Sequence, residues 1–282
     1  MTIGFGDDMT NESLRRTVTA LTLIALAGLS ACQKKPKDEQ PAASNAPPVV
    51  AAPLAFARAD TDAQVTLTLP DPIKLYPDLH SRLYNEGQSA LTAFMDQAHK
   101  DRAQNSADGI IEPGYSHSIN WKISAQSPRF VSLYAEDNIY QGGAHPNTHF
   151  KTLLWDKTAH DLIPTAQLFA AGADLKPVDG YVCRQIEAAR SKRAREPITQ
   201  AATGMPCPKL AESHLILVPS TIAGKIGAID ALYAPDDVGP YAEGPYEIRI
   251  PANQLQGLIA PNFADQFGGE PVKDVVLTDP AG

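Results

Sequence analysis

The run from Tyr140 to Phe150, YQGGAHPNTHF, holds the residues best suited to chemistry in this 282-residue chain. Two adjacent glycines precede His145, and His149 follows four residues later. An H-x-x-x-H pair chelates zinc when a helix carries both imidazoles on one face. Here the flanks are strand-like, and four strand residues span roughly 13 Å, too far for two imidazoles to share one ion. No metal and no cofactor are expected. Gly142 and Gly143 are instead free to take positive φ, and Pro146 holds His145 extended. That combination shapes a turn at a sheet edge presenting His145 and Asn147, which can bind a ligand without catalysing anything.

Other catalytic patterns are weaker. The chain has no G-x-S-x-G nucleophile elbow. His145 or His117 could serve as a base for Ser116, Ser118 or Ser132, but spacing pairs none of them. Asp236 and Asp237, in YAPDDVGP, read as a solvated turn. His80 and His99 fall among ordinary helix residues and read as structural groups.

The elements that position the turn are legible from periodicity. Ala63–Leu69, AQVTLTL, alternates as a strand. In the following segment Leu79, Leu83, Leu91, Phe94 and Met95 recur at helical spacing, and Gly87 interrupts them, which predicts one bent helix or two shorter ones. Strands are expected near Ser118–Ala125, Arg129–Ile139 and Thr148–Asp156, joined by short turns and therefore antiparallel. Helical periodicity returns from LIPTAQLF through GYVCRQIEAARSKR. SHLILVPSTIAGKIGAIDALY and PYEIRIP supply further strands, and ANQLQGLIAPNFADQF predicts a closing amphipathic helix. The fold class is α+β, an antiparallel sheet with helices packed on one face.

The N-terminal residues have another use. Arg15 and Arg16 precede an apolar run, Leu21 to Leu29, too short to span a bilayer, and small residues and a cysteine follow. Leu29-Ser30-Ala31-Cys32 resembles a lipobox, so residues 1–31 are expected to be a lipoprotein signal peptide and Cys32 the lipidated residue. Gln33, in place of the aspartate of inner-membrane lipoproteins, points to the outer membrane and the periplasmic face of the envelope. Asp7 and Asp8 ahead of the basic pair make Met9 an alternative start. Residues 32–60, rich in Pro and Ala, read as a flexible tether. Residues 61–282 form the domain, with two subregions meeting near 156–165. The formal charge of −8 disfavours nucleic acid. In an oxidising compartment Cys183 and Cys207 are expected to form a disulfide.

The succession INWKISAQSPRFVSLYAEDNIYQGGAHPNTHFKTLLWD, LIPTAQLF and YAEGPYEIRIPANQLQGLI is similar to a domain of unknown function. That domain is shared by the extracellular region of RsiV-type anti-sigma factors and the N-terminal region of PdaC-type peptidoglycan deacetylases. The resemblance covers most of the chain from Ala63 onward. It is sharpest at Gly142-Gly143-Ala144-His145 and at Tyr241-Ala242, Gly244, Glu247 and Ile250-Pro251. It implies an α+β envelope domain that serves as a lysozyme receptor in the anti-sigma relatives and accompanies a separate catalytic module in the deacetylases. HPNTH imitates the deacetylase metal pair in a different domain, so no catalytic residue is carried over. The expectation is a lipid-anchored, non-enzymatic envelope protein recognising lysozyme or a peptidoglycan fragment. Its candidate contact residues are Gly142, Gly143, His145, Asn147, Tyr241 and Tyr246. The alternatives are an envelope polymer hydrolase using His145 and a purely structural lipoprotein.

Overall fold

The strands fall into two sheets, and the site-bearing turns sit at strand ends of both. The computed structural model describes residues 51–109, 113–272 and 277. Residues 1–31, expected to be a signal peptide, and Cys32 lie outside them. Two strands, β1 (Ala55–Ala59) and β2 (Ala63–Thr68), pair antiparallel. Their turn is set by Asp60, whose carboxylate accepts the backbone N–H groups of Asp62 and Ala63. β1 therefore occupies residues expected to belong to the tether, so ordered chain begins earlier than the composition suggests.

A single 31-residue helix follows, α1 (Pro77–Ala107), with its proline in the first turn where no N–H is needed. Gly87 does not split it. A Cβ there would come within 2.9 Å of the Leu67 methyls, so the glycine lets helix and strand approach closely. α1 carries the chain across the sheet, and β3 (Tyr115–Gln126) consequently pairs parallel to β2. β4 (Phe130–Tyr140), β5 (Asn147–Asp156) and the short β6 (Asp161–Leu162) continue antiparallel in chain order. Leu79, Leu83, Leu91 and Met95 of α1 pack on Val65, Leu67, Ile119, Trp121, Val131 and Leu133. Each such buried side chain contributes about 1.5–3 kcal/mol of transfer free energy.

The second sheet has the order β7 (His214–Pro219), β8 (Ile226–Tyr233), β9 (Tyr246–Pro251), all antiparallel. β8 is buried along its whole length because both faces are covered. Val178, Val182 and Ile186 of α2 (Lys176–Ala194) join Ile229, Ala231, Ile248 and Ile250 in one core. Tyr134 and Phe150 of the first sheet meet Ile216 and Leu232 in another. Ser132 ties the sheets directly, its hydroxyl accepting the Leu217 N–H at 2.9 Å. Cys183 and Cys207 are joined, fastening the segment that contains the short α3 (Gln200–Thr203) to α2. The described residues lie in one compact unit, Val49–Gly282.

The α+β class holds, and antiparallel pairing dominates. The helices, however, divide between the sheets, α1 on the first and α2 on the second. The closing helix is absent. Residues 252–267 form two 3-10 turns, Ala252–Leu255 and Ala264–Gln266, separated by Gly257 at φ 74° and by Pro261. The apolar residues that suggest a helix are spent differently: Ile259 leaves the turn to bridge Phe169. Among the described residues no helix is long and apolar enough to cross a membrane.

Candidate functional site: two turns joined by a stacked histidine and tyrosine

The β4–β5 connection runs from Gln141 to Pro146, with the strands in register up to Ile139 and Asn147. Gly142 and Gly143 take φ of 92° and 96°, a region costly for any residue with a Cβ. The Tyr140 hydroxyl donates to the Gly143 carbonyl at 3.1 Å, closing the turn on itself. His145 is exposed at its tip.

A second turn, from a segment almost a hundred residues away, meets it there. The 3-10 turn Tyr241–Glu243 leads into β9. The Tyr241 ring stacks on His145 with centroids 3.7 Å apart and planes at 19°. The Tyr241 hydroxyl donates to the Pro146 carbonyl at 2.9 Å. His145 Nδ1 lies 3.1 Å from the same oxygen. A carbonyl offers two lone pairs and no donor, so Nδ1 must carry a proton in that contact. In the neutral ring this leaves Nε2 as a bare acceptor, without a partner among the described residues. The imidazole thus both completes the turn and presents a polar atom outward.

The Tyr241 turn is itself held from below. Arg190 of α2 is 2% exposed, and its guanidinium grips Glu243 in a fork, Nε to Oε2 at 2.9 Å and Nη2 to Oε1 at 3.0 Å. Its remaining nitrogen donates to Gln200 Oε1 at 2.5 Å and to the Thr203 hydroxyl at 3.2 Å. Arg193 donates to the Glu243 carbonyl at 2.6 Å and lies 3.8 Å over the Tyr246 ring. Gly239 leaves room for this knot, since a Cβ there would sit 2.4 Å from Glu243 Oε2. The Arg190 hydrogen bonds hold the Glu243 carboxyl below the usual carboxylate range. Burial, reinforced by Glu243, pushes the Tyr246 hydroxyl up to about 12.

Of the expected contact residues, Gly142, Gly143, His145, Asn147 and Tyr241 come together at one exposed spot. Tyr246 does not belong with them. It is 2% exposed and its hydroxyl donates to Glu243 at 2.5 Å, so it supports the turn from within. His149 lies on β5 opposite Asp137, away from the His145 tip.

Two other titratable clusters escaped the sequence. His117 Nε2 pairs with Asp137 at 2.6 Å inside the first sheet, and Lys151 reaches the same carboxylate at 2.6 Å. Burial alone would raise the Asp137 carboxyl, but the His117 and Lys151 hydrogen bonds outweigh it and hold it low. His117 Nδ1 is buried without a partner, and the imidazole packs edge-to-face with the Phe94 ring, centroids 4.9 Å apart. The alternation of β3 was the available signal, because it puts His117 on the same side as Tyr115 and Ile119. The other cluster is Asp60, Asp62 and His99, the only triad of potential metal ligands among the described residues. His99 Nδ1 contacts Asp62 at 2.6 Å and its Nε2 lies 3.3 Å from Asp60, which fastens α1 to the first hairpin. The Asp62 hydrogen bond raises the His99 pKa.

Fold and site together define an α+β domain with a small aromatic surface made by two inter-strand turns. Residues 60–148 match the family described as Deacetylase PdaC, a span that includes β2 through β4 and the whole Gly142–Pro146 turn. No curated protein matches the chain. A member of the DUF3298 family from Bacteroides fragilis shares the fold, with a TM-score of 0.53 and 14% identity over 75% of this chain and 95% of its own. A DUF3298 protein from Pseudomonas aeruginosa aligns over 78% of this chain and 99% of its own, at 19% identity and a TM-score of 0.47. The resemblance to PdaC-type proteins read from the sequence is thus found over residues 60–148, and the fold is shared with the Bacteroides fragilis protein.

Proposed function

We propose that the domain is a non-catalytic recognition module of the cell envelope, anchored by lipid at Cys32, that binds sugar rings of peptidoglycan fragments at the His145–Tyr241 pair. The observation that carries this is the stack of exposed His145 on half-buried Tyr241, two rings 3.7 Å apart, built from separate turns and braced from beneath. Flat aromatic faces suit the apolar face of a pyranose, and His145 Nε2 can accept a hydroxyl proton. The similarity of residues 60–148 to the Deacetylase PdaC family supports an envelope glycan as the ligand class. Hydrolysis by His145 is disfavoured because its contacts are a backbone carbonyl and a phenol ring, with no carboxylate to orient it. The His117–Asp137 pair has the right groups, but its free nitrogen is buried.

The test is a calorimetric titration of the protein with disaccharide-tripeptide muropeptide, alongside His145→Ala and Tyr241→Ala. Saturable binding weakened about 2- to 10-fold in each variant is expected, from a stacking contribution of about 0.5–1.5 kcal/mol. Binding unchanged in both variants would remove the site. The formal charge of −8 favours a second reading, in which a cationic lysozyme is the partner. In that case lysozyme, and not muropeptide, binds, and binding weakens steeply with salt.

A further inference from the structure

Between its two 3-10 turns the segment Pro251–Glu270 encloses a cavity of about 670 Å³. It shares no residue with the His145–Tyr241 surface. The volume falls within the roughly 300–1,000 Å³ of ordinary ligand sites. Its walls are apolar, with Leu255 and Ile259 buried in the core below and Phe267 and Ala170 closing the sides. The segment is fixed in place, since Phe267 bridges Ile226 and Pro271 bridges Ser220.

The polar lining is small and of one kind. Asn253, Gln256 and Glu270 line the cavity, are exposed, and have no side-chain partner among the described residues. Nearby, Asp265 accepts from Gln266 Nε2 at 2.9 Å, and the Lys225 ammonium donates to the Asp265 backbone carbonyl. Among the described residues Glu270 thus has no cation partner, and it stands beside two carboxamides over an apolar floor. We propose that this cavity is a binding site for a small organic amine with an apolar body, whose ammonium meets Glu270 while the body rests on Leu255, Ile259 and Phe267. A carboxylate disfavours anions there, and the carboxamide oxygens can accept the remaining ammonium protons. The overall charge of −8 acts in the same direction.

The test is an amide NMR titration of the protein at neutral pH with 3-phenylpropylamine and, separately, with 3-phenylpropan-1-ol. The amine should shift the amides of Ala170, Leu255, Gly257 and Phe267 saturably and bind about 1.4-fold to fivefold more tightly than the alcohol, the range for a solvent-exposed ion contact. Glu270→Gln should bring the amine to the affinity of the alcohol. Ala264→Trp, at the exposed rim, should fill the space and abolish both while leaving the other amide positions unchanged. An amine that binds no better than the alcohol, shifts centred elsewhere, or titrations unaffected by Ala264→Trp would each overturn the assignment.

Discussion

Replacing Glu243 by glutamine preserves the shape of the Tyr241 turn and removes the charge that organises it. In the native protein Arg190 is 2% exposed and spends Nε and Nη2 on the Glu243 carboxylate. The same carboxylate accepts the Tyr246 hydroxyl. Glutamine offers one oxygen and one amide nitrogen, so one of these donors must face another donor. Breaking a buried pair from one side costs about 3–5 kcal/mol, because it strands the remaining charge. The Glu243 side chain is 18% exposed, which lets water soften the loss, so the lower end, about 3 kcal/mol, applies. For a unit of this size that is a fall in Tm of about 6–12 °C. Urea unfolding at pH 7 measures it. Adding Arg190→Met should recover at least about 1 kcal/mol, since the stranded charge goes with it. Because the folded Glu243 pKa is depressed, its contribution is present above the ordinary carboxylate range and is lost as pH falls through the folded value. Native protein and Glu243→Gln should therefore converge in acid. A variant within about 0.5 kcal/mol of native at pH 7, the scale of a neutral surface change, would refute the brace.

Three further outcomes follow from the same geometry. Gly239→Ala puts a Cβ 2.4 Å from Glu243 Oε2 and should cost about 1–3 kcal/mol in urea unfolding, with the His145 ring resonances losing the ring-current shift from Tyr241. Paired Cys183→Ser and Cys207→Ser substitutions open a link across 24 residues and should cost about 3 kcal/mol, while native protein should show no thiol there to a labelling reagent. His99 should titrate above the ordinary histidine range by NMR and return toward it in Asp62→Asn. Its ion contacts favour the folded state at low pH, and that preference is lost as pH rises through the raised value.

Strand and helix placement was legible wherever burial imposes a period. β2 reads Ala63, Val65, Leu67 inward with Gln64 and Thr68 outward, and α1 repeats Leu79, Leu83, Leu91 and Met95. Periodicity misled where apolar residues serve separate contacts, as in residues 252–267, where Leu255 lies in the core and Ile259 reaches Phe169. It was silent on the division into two sheets, because β8 is buried on both faces and has no alternation to read.

The site divides along the same line. Its outer half is written locally, since two glycines, a histidine before proline and a tyrosine after proline are turn chemistry visible in a few residues. Its inner half is not. Arg190 sits in the basic run RSKRAR, which reads as a solvated helix end, and only the tertiary fold turns it toward Glu243 and Gln200. Tyr246 was misplaced for the same reason, because nothing local distinguishes an aromatic that faces a ligand from one that shields an ion pair. A surface contact and its support can thus lie two to five residues apart in one turn, as Tyr241 does from Glu243 and Tyr246. Substitution of His145 should accordingly alter binding and leave the fold intact, whereas substitution of Glu243 should alter both. Measuring unfolding and muropeptide binding on the two variants side by side separates recognition from support, and a His145→Ala protein destabilised as much as Glu243→Gln would show that the imidazole is part of the brace.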